Sequence, residues 1–258
     1  MQLERDLPVY DSVLLLQGPV GPFFAKFGRW LRSRGSDVFK VNFNLGDDVF
    51  YRDGAFRFTD PMQDFSEYLQ RLVMITGAKA IFVFGEMRPM HKIAIKLAAS
   101  MGVEVWAFEE GFVRPGYLTL ENVTHRVREM HYVIHSTEQP EADEPIASRW
   151  VFYKMALKAF CYFTATMLGF WRYPHYQHHK PATVAEGARW VLALYRRVAY
   201  RFVDWFRERR VLNGLRKNFF LVPLQVHNDY AVSARSDVDS IEQFIERVLV
   251  SFAEHGPN

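Results

Sequence analysis

Three times in its first 110 residues the chain passes from a short apolar segment through a glycine-marked turn into a segment with helical spacing. Val13-Leu14-Leu15-Leu16-Gln17-Gly18 reads as a buried strand, because its apolar residues are continuous rather than alternating. After Gly18-Pro19-Val20-Gly21-Pro22, the apolar positions from 23 to 31 suit a helix ended near Gly35. Residues 38–43 read as a second strand, 64–76 as a helix and 80–85 as a third strand. A helix from Pro89 to Ser100 stops at Gly102, and residues 103–108 form the fourth strand. This alternation predicts an α/β fold with a Rossmann-like, doubly wound parallel sheet and helices on both faces. Ligands of such sheets bind beyond the carboxyl ends of the strands, so polar residues there are the first functional candidates.

The sequence divides into three regions. Residues 1–137 hold the Rossmann-like domain, with 131–134 as a possible fifth strand. Residues 138–217 begin with an acidic, proline-bearing linker (138–145) and continue as two helical segments, 148–170 and 182–217. Within 218–258, residues 219–224 read as a strand and 238–252 as a helix, the start of a second α/β domain. One such unit cannot close a parallel sheet, so the chain is expected to be a fragment or a short member of its class.

Charge is concentrated in the middle region. Between Arg149 and Lys217 stand 14 Lys/Arg against three acids, whereas the rest of the chain has 18 basic and 26 acidic residues. A localised basic field implies an anionic partner more clearly than the net charge of +3 does. Residues 162–172 are apolar and aromatic, ending in Phe170-Trp171-Arg172, and Arg196, Arg197 and Arg201 follow on the next helix. Together they suit a peripheral contact with an anionic membrane surface. A packed helical hairpin or nucleic-acid binding could use the same residues, but no nucleic-acid motif accompanies them. The single cysteine, Cys161, excludes a disulfide framework and fits a reducing compartment. No run of eighteen apolar residues predicts a spanning helix, and no leader is apparent at Met1. His175, His178 and His179 lack a nearby acid to complete a coordination shell, so no metal is expected.

Four strand ends carry candidate chemistry. The Gln17-Gly18-Pro19-Val20-Gly21 turn could offer backbone N–H groups to an anion or sugar hydroxyl, or be only a rigid turn. Gly85-Glu86-Met87-Arg88-Pro89-Met90-His91 places Arg88 where it could meet phosphate or carboxylate, or merely cap a helix. Glu109-Glu110-Gly111-Phe112-Val113-Arg114 ends an apolar strand in two carboxylates that must face opposite ways. One of them could take a proton from a hydroxyl or attack an anomeric carbon, or the pair could be only a surface acidic turn. Gln225-Val226-His227-Asn228-Asp229 could line an interdomain cleft or form an Asx-type turn.

In order along the chain, Leu16-Gln17-Gly18-Pro19-Val20-Gly21-Pro22-Phe23-Phe24, Phe43-Asn44-Leu45-Gly46-Asp47, Glu109-Glu110-Gly111-Phe112-Val113-Arg114-Pro115 and Val222-Pro223-Leu224-Gln225-Val226-His227-Asn228-Asp229 resemble the capsule polysaccharide synthesis family, particularly its KpsS branch. The resemblance implies a GT-B glycosyltransferase that moves β-linked Kdo from CMP-Kdo to a phosphatidylglycerol-type lipid, with no cofactor beyond that donor substrate. It implies a cytoplasmic enzyme peripheral on the inner membrane, in company with other capsule biosynthesis and export proteins. Carried onto this sequence, the acid of the family's acid-Gly-Phe turn falls on Glu110, as nucleophile or base of a retaining reaction. Gln17, Gly18, Gly21 and Arg88 would bind the Kdo carboxylate or the acceptor phosphate, with Glu109 and Arg114 beside them. Gln225 and Asp229 would face the cleft. The family continues into a His-Pro motif that resembles a cytidine-nucleotide site, and this sequence has no His-Pro pair. Donor binding is therefore expected to need more chain, and residues 230–236 also depart from the family's usual segment. A non-catalytic scaffold at the membrane is the alternative reading.

Overall fold

The structure, a computed structural model, describes residues 7–110, 118–124, 149–176, 184–214, 220–224, 238 and 240–255. Its elements are β1 (Ser12–Leu15), α1 (Phe23–Ser33), β2 (Asp37–Asn42), α2 (Leu45–Phe50), β3 (Ala55–Arg57), a 3-10 turn (Met62–Asp64), α3 (Phe65–Thr76), β4 (Ala80–Phe84), α4 (Pro89–Met101), β5 (Glu104–Glu110), β6 (Leu118–Asn122), α5 (Arg149–Leu168), α6 (Val184–Gly214) and α7 (Ile241–His255).

The six strands form one sheet in the order β3-β2-β1-β4-β5-β6. Strands β3 to β5 are parallel, and β6 runs antiparallel to β5 with Glu110 opposite Leu118. The expected parallel sheet is thus a mixed one, closed at one edge by a hairpin. Continuous apolar strands are the signature of a sheet buried on both faces. Leu14, Leu16, Val41, Ile81 and Val83 pack with Phe65, Leu69 and Leu72 of α3 and with Met90, Ala94 and Ala98 of α4. Val13, Leu15, Val38, Ala80 and Phe82 face the other way, onto Phe24, Phe27 and Leu31 of α1. Phe27 and Phe108 meet edge to face at 5.0 Å across that layer. Gly77 and Gly102 end α3 and α4 in the left-handed region, where a side chain would be strained.

Helix α5 packs on α2 through two glycines. A Cβ on Gly46 would stand 2.7 Å from the Tyr162 ring and 2.8 Å from its carbonyl oxygen, and one on Gly169 would collide with Leu45. The chain comprises two compact units, 1–187 and 188–258. In the second, residues 220–224 form no strand, contrary to expectation. A strand needs a neighbour for its ladder, and this segment instead leaves Leu221 82% exposed. Phe220 meets Phe252 of α7 edge-on at 5.2 Å.

Candidate functional site

Strand order reverses at β1, whose neighbours β2 and β4 begin the two halves of the sheet. The crevice beyond the carboxyl ends of β1 and β4 is therefore the place for a ligand. Its two loops are joined: Arg88 Nη1 donates to the Gly18 carbonyl at 3.0 Å. Arg88 stands at the N-cap position of α4 without a side-chain capping bond, and Pro89 is the first helical residue. His91, fully buried in the first turn of α4, contacts the Gly85 carbonyl through Nδ1. A carbonyl only accepts, so Nδ1 carries the hydrogen, and Nε2 is buried on the side of the Gln17 backbone. Burial, reinforced by the Arg88 guanidinium, pushes the His91 pKa down to about 3.

A second buried group lies on β2. Lys40 Nζ donates to the Val41 carbonyl (2.6 Å) and to Asn42 Oδ1 (3.0 Å). Burial pushes its pKa down to about 8 against the pull of Asp47. Lys40, Asp47, Tyr162, Gly18 and Gly21 help line a cavity of about 20 Å³, room for one water.

The carboxyl end of β2 leads into α2, where Asn44 caps the helix by accepting from the Asp47 backbone N–H at 2.8 Å. This turn presents two adjacent buried aspartates. Asp47 accepts from the Phe43 backbone N–H (3.0 Å), from the Tyr162 hydroxyl (3.1 Å) and from Gln17 Nε2 (3.4 Å). Asp48 accepts from Asn42 Nδ2 (2.8 Å), Arg57 Nε (3.0 Å) and the Tyr173 hydroxyl (2.9 Å). Tyr162 also accepts from Asn44 Nδ2 at 2.8 Å, and burial raises its pKa well above the ordinary phenol value.

Among the sequence candidates, Gln17 is buried and its amide bonds within the protein, to Tyr176 (2.9 Å) and Tyr162 (3.3 Å). Gly18 and Gly21 lie beside it on the cavity wall, and Gly21 has a positive φ of 112°. Glu109 is half-buried opposite Thr119. The backbone of Glu110 ends β5 at the carboxyl edge of the sheet, next to β4. The Arg88–Gly18 bond thus brings the loops of Gln17 and Arg88 together, while β5 ends one strand further along, beyond β4. Arg114, Gln225 and Asp229 lie outside the described residues, as do His178 and His179. Phe170 and Trp171 are 72% and 67% exposed. Arg172 reaches both ways, its Nε 4.0 Å from Asp48 and its guanidinium 5.9 Å from the Trp171 ring. Arg196, Arg197 and Arg201 are exposed on α6, in the company of exposed Tyr195, Tyr200, Phe202 and Phe206. Among the described residues no helix is long and apolar enough to cross a membrane, and no cluster is spaced to hold a metal ion.

No motif in the sequence singles out Lys40, Asp48, Tyr173 or Tyr176, and Asp47 and Tyr162 stand out only as members of longer stretches. The available signals were a lysine inside an apolar strand and an Asn-x-x-Asp helix start.

A mixed six-stranded sheet with helices on both faces, and with charged groups gathered where its strand order reverses, defines a Rossmann-like α/β protein. The chain belongs to the capsule polysaccharide biosynthesis protein family, whose profile matches residues 79–258. It is 36% identical over 267 residues to the capsule polysaccharide modification protein LipB of Neisseria meningitidis serogroup A, covering 99% of this chain and 64% of that one. The serogroup B LipB matches with the same identity and coverage. The capsule polysaccharide export protein KpsS of Escherichia coli is 30% identical over 257 residues, 95% of this chain and 64% of that one. The chain therefore spans just under two thirds of the length of these relatives.

Proposed function

We propose that the protein is the acceptor-side part of a retaining GT-B glycosyltransferase of capsule synthesis. It transfers β-Kdo from CMP-Kdo to a phosphatidylglycerol-type lipid on the cytoplasmic face of the inner membrane, alongside other capsule biosynthesis and export proteins. The observation that carries this reading is the bond that joins the Gln17 and Arg88 loops at the switch point, with β5 ending on the strand beside β4, in a chain of this family. Glu110, as catalytic carboxylate, would attack the anomeric carbon or take the acceptor's proton. Arg88 would pair with the Kdo carboxylate or acceptor phosphate, and the Gly18–Gly21 turn would add backbone N–H groups. Glu109, Arg114, Gln225 and Asp229 would complete the substrate contacts. Phe170, Trp171, Arg172, Arg196, Arg197 and Arg201 would hold the protein to anionic lipid.

The test is transfer of labelled Kdo from CMP-Kdo to a fluorescent lysophosphatidylglycerol, using this chain and a form as long as its relatives. Product from the longer form, lost by at least about a hundredfold in Glu110→Gln, is expected. A folded full-length protein that makes no product would sink the enzyme reading and leave a non-catalytic scaffold.

A further inference from the structure

Three tyrosines of one stretch place their hydroxyls on the carboxyl end of the sheet. Tyr162, on α5, donates to Asp47, Tyr173 donates to Asp48, and Tyr176 accepts from Gln17. The partners are 115, 125 and 159 residues apart in sequence, so no local turn requires these bonds. Both aspartates already have other donors. Phe43 and Gln17 serve Asp47, while Asn42 and Arg57 serve Asp48. The tyrosines therefore add attachment rather than rescue an orphaned charge. Tyr173 and Asp48 are both buried, and a charge-assisted bond shielded from water is strong and directional.

Between these anchors the chain exposes an aromatic corner. Gly169 is pressed against Leu45 of α2, Phe170 and Trp171 project into solvent, and Tyr173 returns to Asp48. The backbone closes the same turn, with Arg172 and Tyr173 N–H both donating to the Gly169 carbonyl at 3.0 Å. A tether whose only task was to raise local concentration would gain nothing from being fixed on both sides of its aromatic pair. A fixed mount matters when the angle of approach matters.

We infer that Asp47 and Asp48 form a latch that sets the angle between the Phe170–Trp171 pair and the switch-point crevice, so that a lipid-borne acceptor meets the Gln17 and Arg88 loops in one orientation. Tyr162, Tyr173 and Tyr176 are positioning residues, and Tyr176 does so through the Gln17 amide. The inference rests on the transferase reading above. It is tested with full-length protein, Tyr173→Phe and Tyr173→Ala. Transfer is measured to an acceptor embedded in phosphatidylglycerol–phosphatidylethanolamine vesicles and to a soluble short-chain analogue, and vesicle flotation is measured alongside. Both variants are expected to float like wild type and to use the soluble acceptor at the wild-type rate. Transfer to the embedded acceptor falls at least about tenfold in Tyr173→Ala and less in Tyr173→Phe. Equal losses on both acceptors, or none on either, overturn the latch. Wild-type protein inactive on both acceptors overturns the transferase reading instead. In that case amide exchange across residues 162–176 decides the latch, being faster in Tyr173→Phe if it exists and unchanged if it does not.

Discussion

Lys40 carries a cost that pH can remove. Its folded pKa is about 8 against an ordinary value of 10.5. Below pH 8 the folded and unfolded chains both hold the proton. Between 8 and 10.5 only the unfolded chain does, so stability rises with pH across that window. The full shift corresponds to about 3 kcal/mol. Tyr10 and Tyr68, pushed up to about 12 mainly by burial, act in the opposite sense, because above pH 10 the unfolded chain loses their protons first. The urea midpoint is expected to climb from pH 8 to about 9.5 and then fall, and the climb should vanish in Lys40→Met. A wild-type midpoint that declines steadily from pH 8 would show that Lys40 is not the governing group.

At the scale of elements, the α2–α5 contact depends on the two glycines that let the helices approach. Gly46→Ala forces a methyl against the Tyr162 ring and backbone and is expected to cost about 1–3 kcal/mol in chemical denaturation. Gly214→Ala, where nothing among the described residues lies within 4 Å of the added methyl, serves as the control and should cost nothing. Equal midpoints for the two variants would mean that the helices part without penalty. The same contact explains what the sequence could and could not reveal. Strands β1 and β4 were legible because burial on both faces demands apolar runs, β2 and β5 because apolar residues still dominate them, and α4 because Pro89 and Gly102 bracket it. Strand β3 has three residues, β6 is a half-exposed edge strand with Glu121 in it, and α2 has six residues with two acids, so none has a period to read. Of the site, the Gln17 and Arg88 loops could be placed from strand ends alone. The tyrosines could not, since the identity of their partners depends on a fold contact more than a hundred residues away. Residues 220–224 misled for the opposite reason: they have strand composition, but among the described residues no strand pairs with them.

For the molecule as a whole, the proposed membrane attachment has two parts with different physical signatures. Each basic side chain near an anionic surface contributes about 1 kcal/mol, screened by salt. Replacing Arg196, Arg197 and Arg201 together with alanine should weaken binding to phosphatidylglycerol vesicles by roughly a hundredfold at low salt and far less at high salt. Trp171→Ala should weaken it at both. Binding to RNA that competes with vesicles would point the basic helix to nucleic acid instead. The bond between Gln17 and Tyr176, 159 residues apart, also dictates an order of events as the chain is made. At about 5–20 residues per second, roughly 10 to 30 seconds separate the synthesis of its two partners. The strands through β5 emerge first and can assemble from near neighbours, whereas the tyrosines must close long loops. For that interval the Gln17 amide must do without its Tyr176 partner.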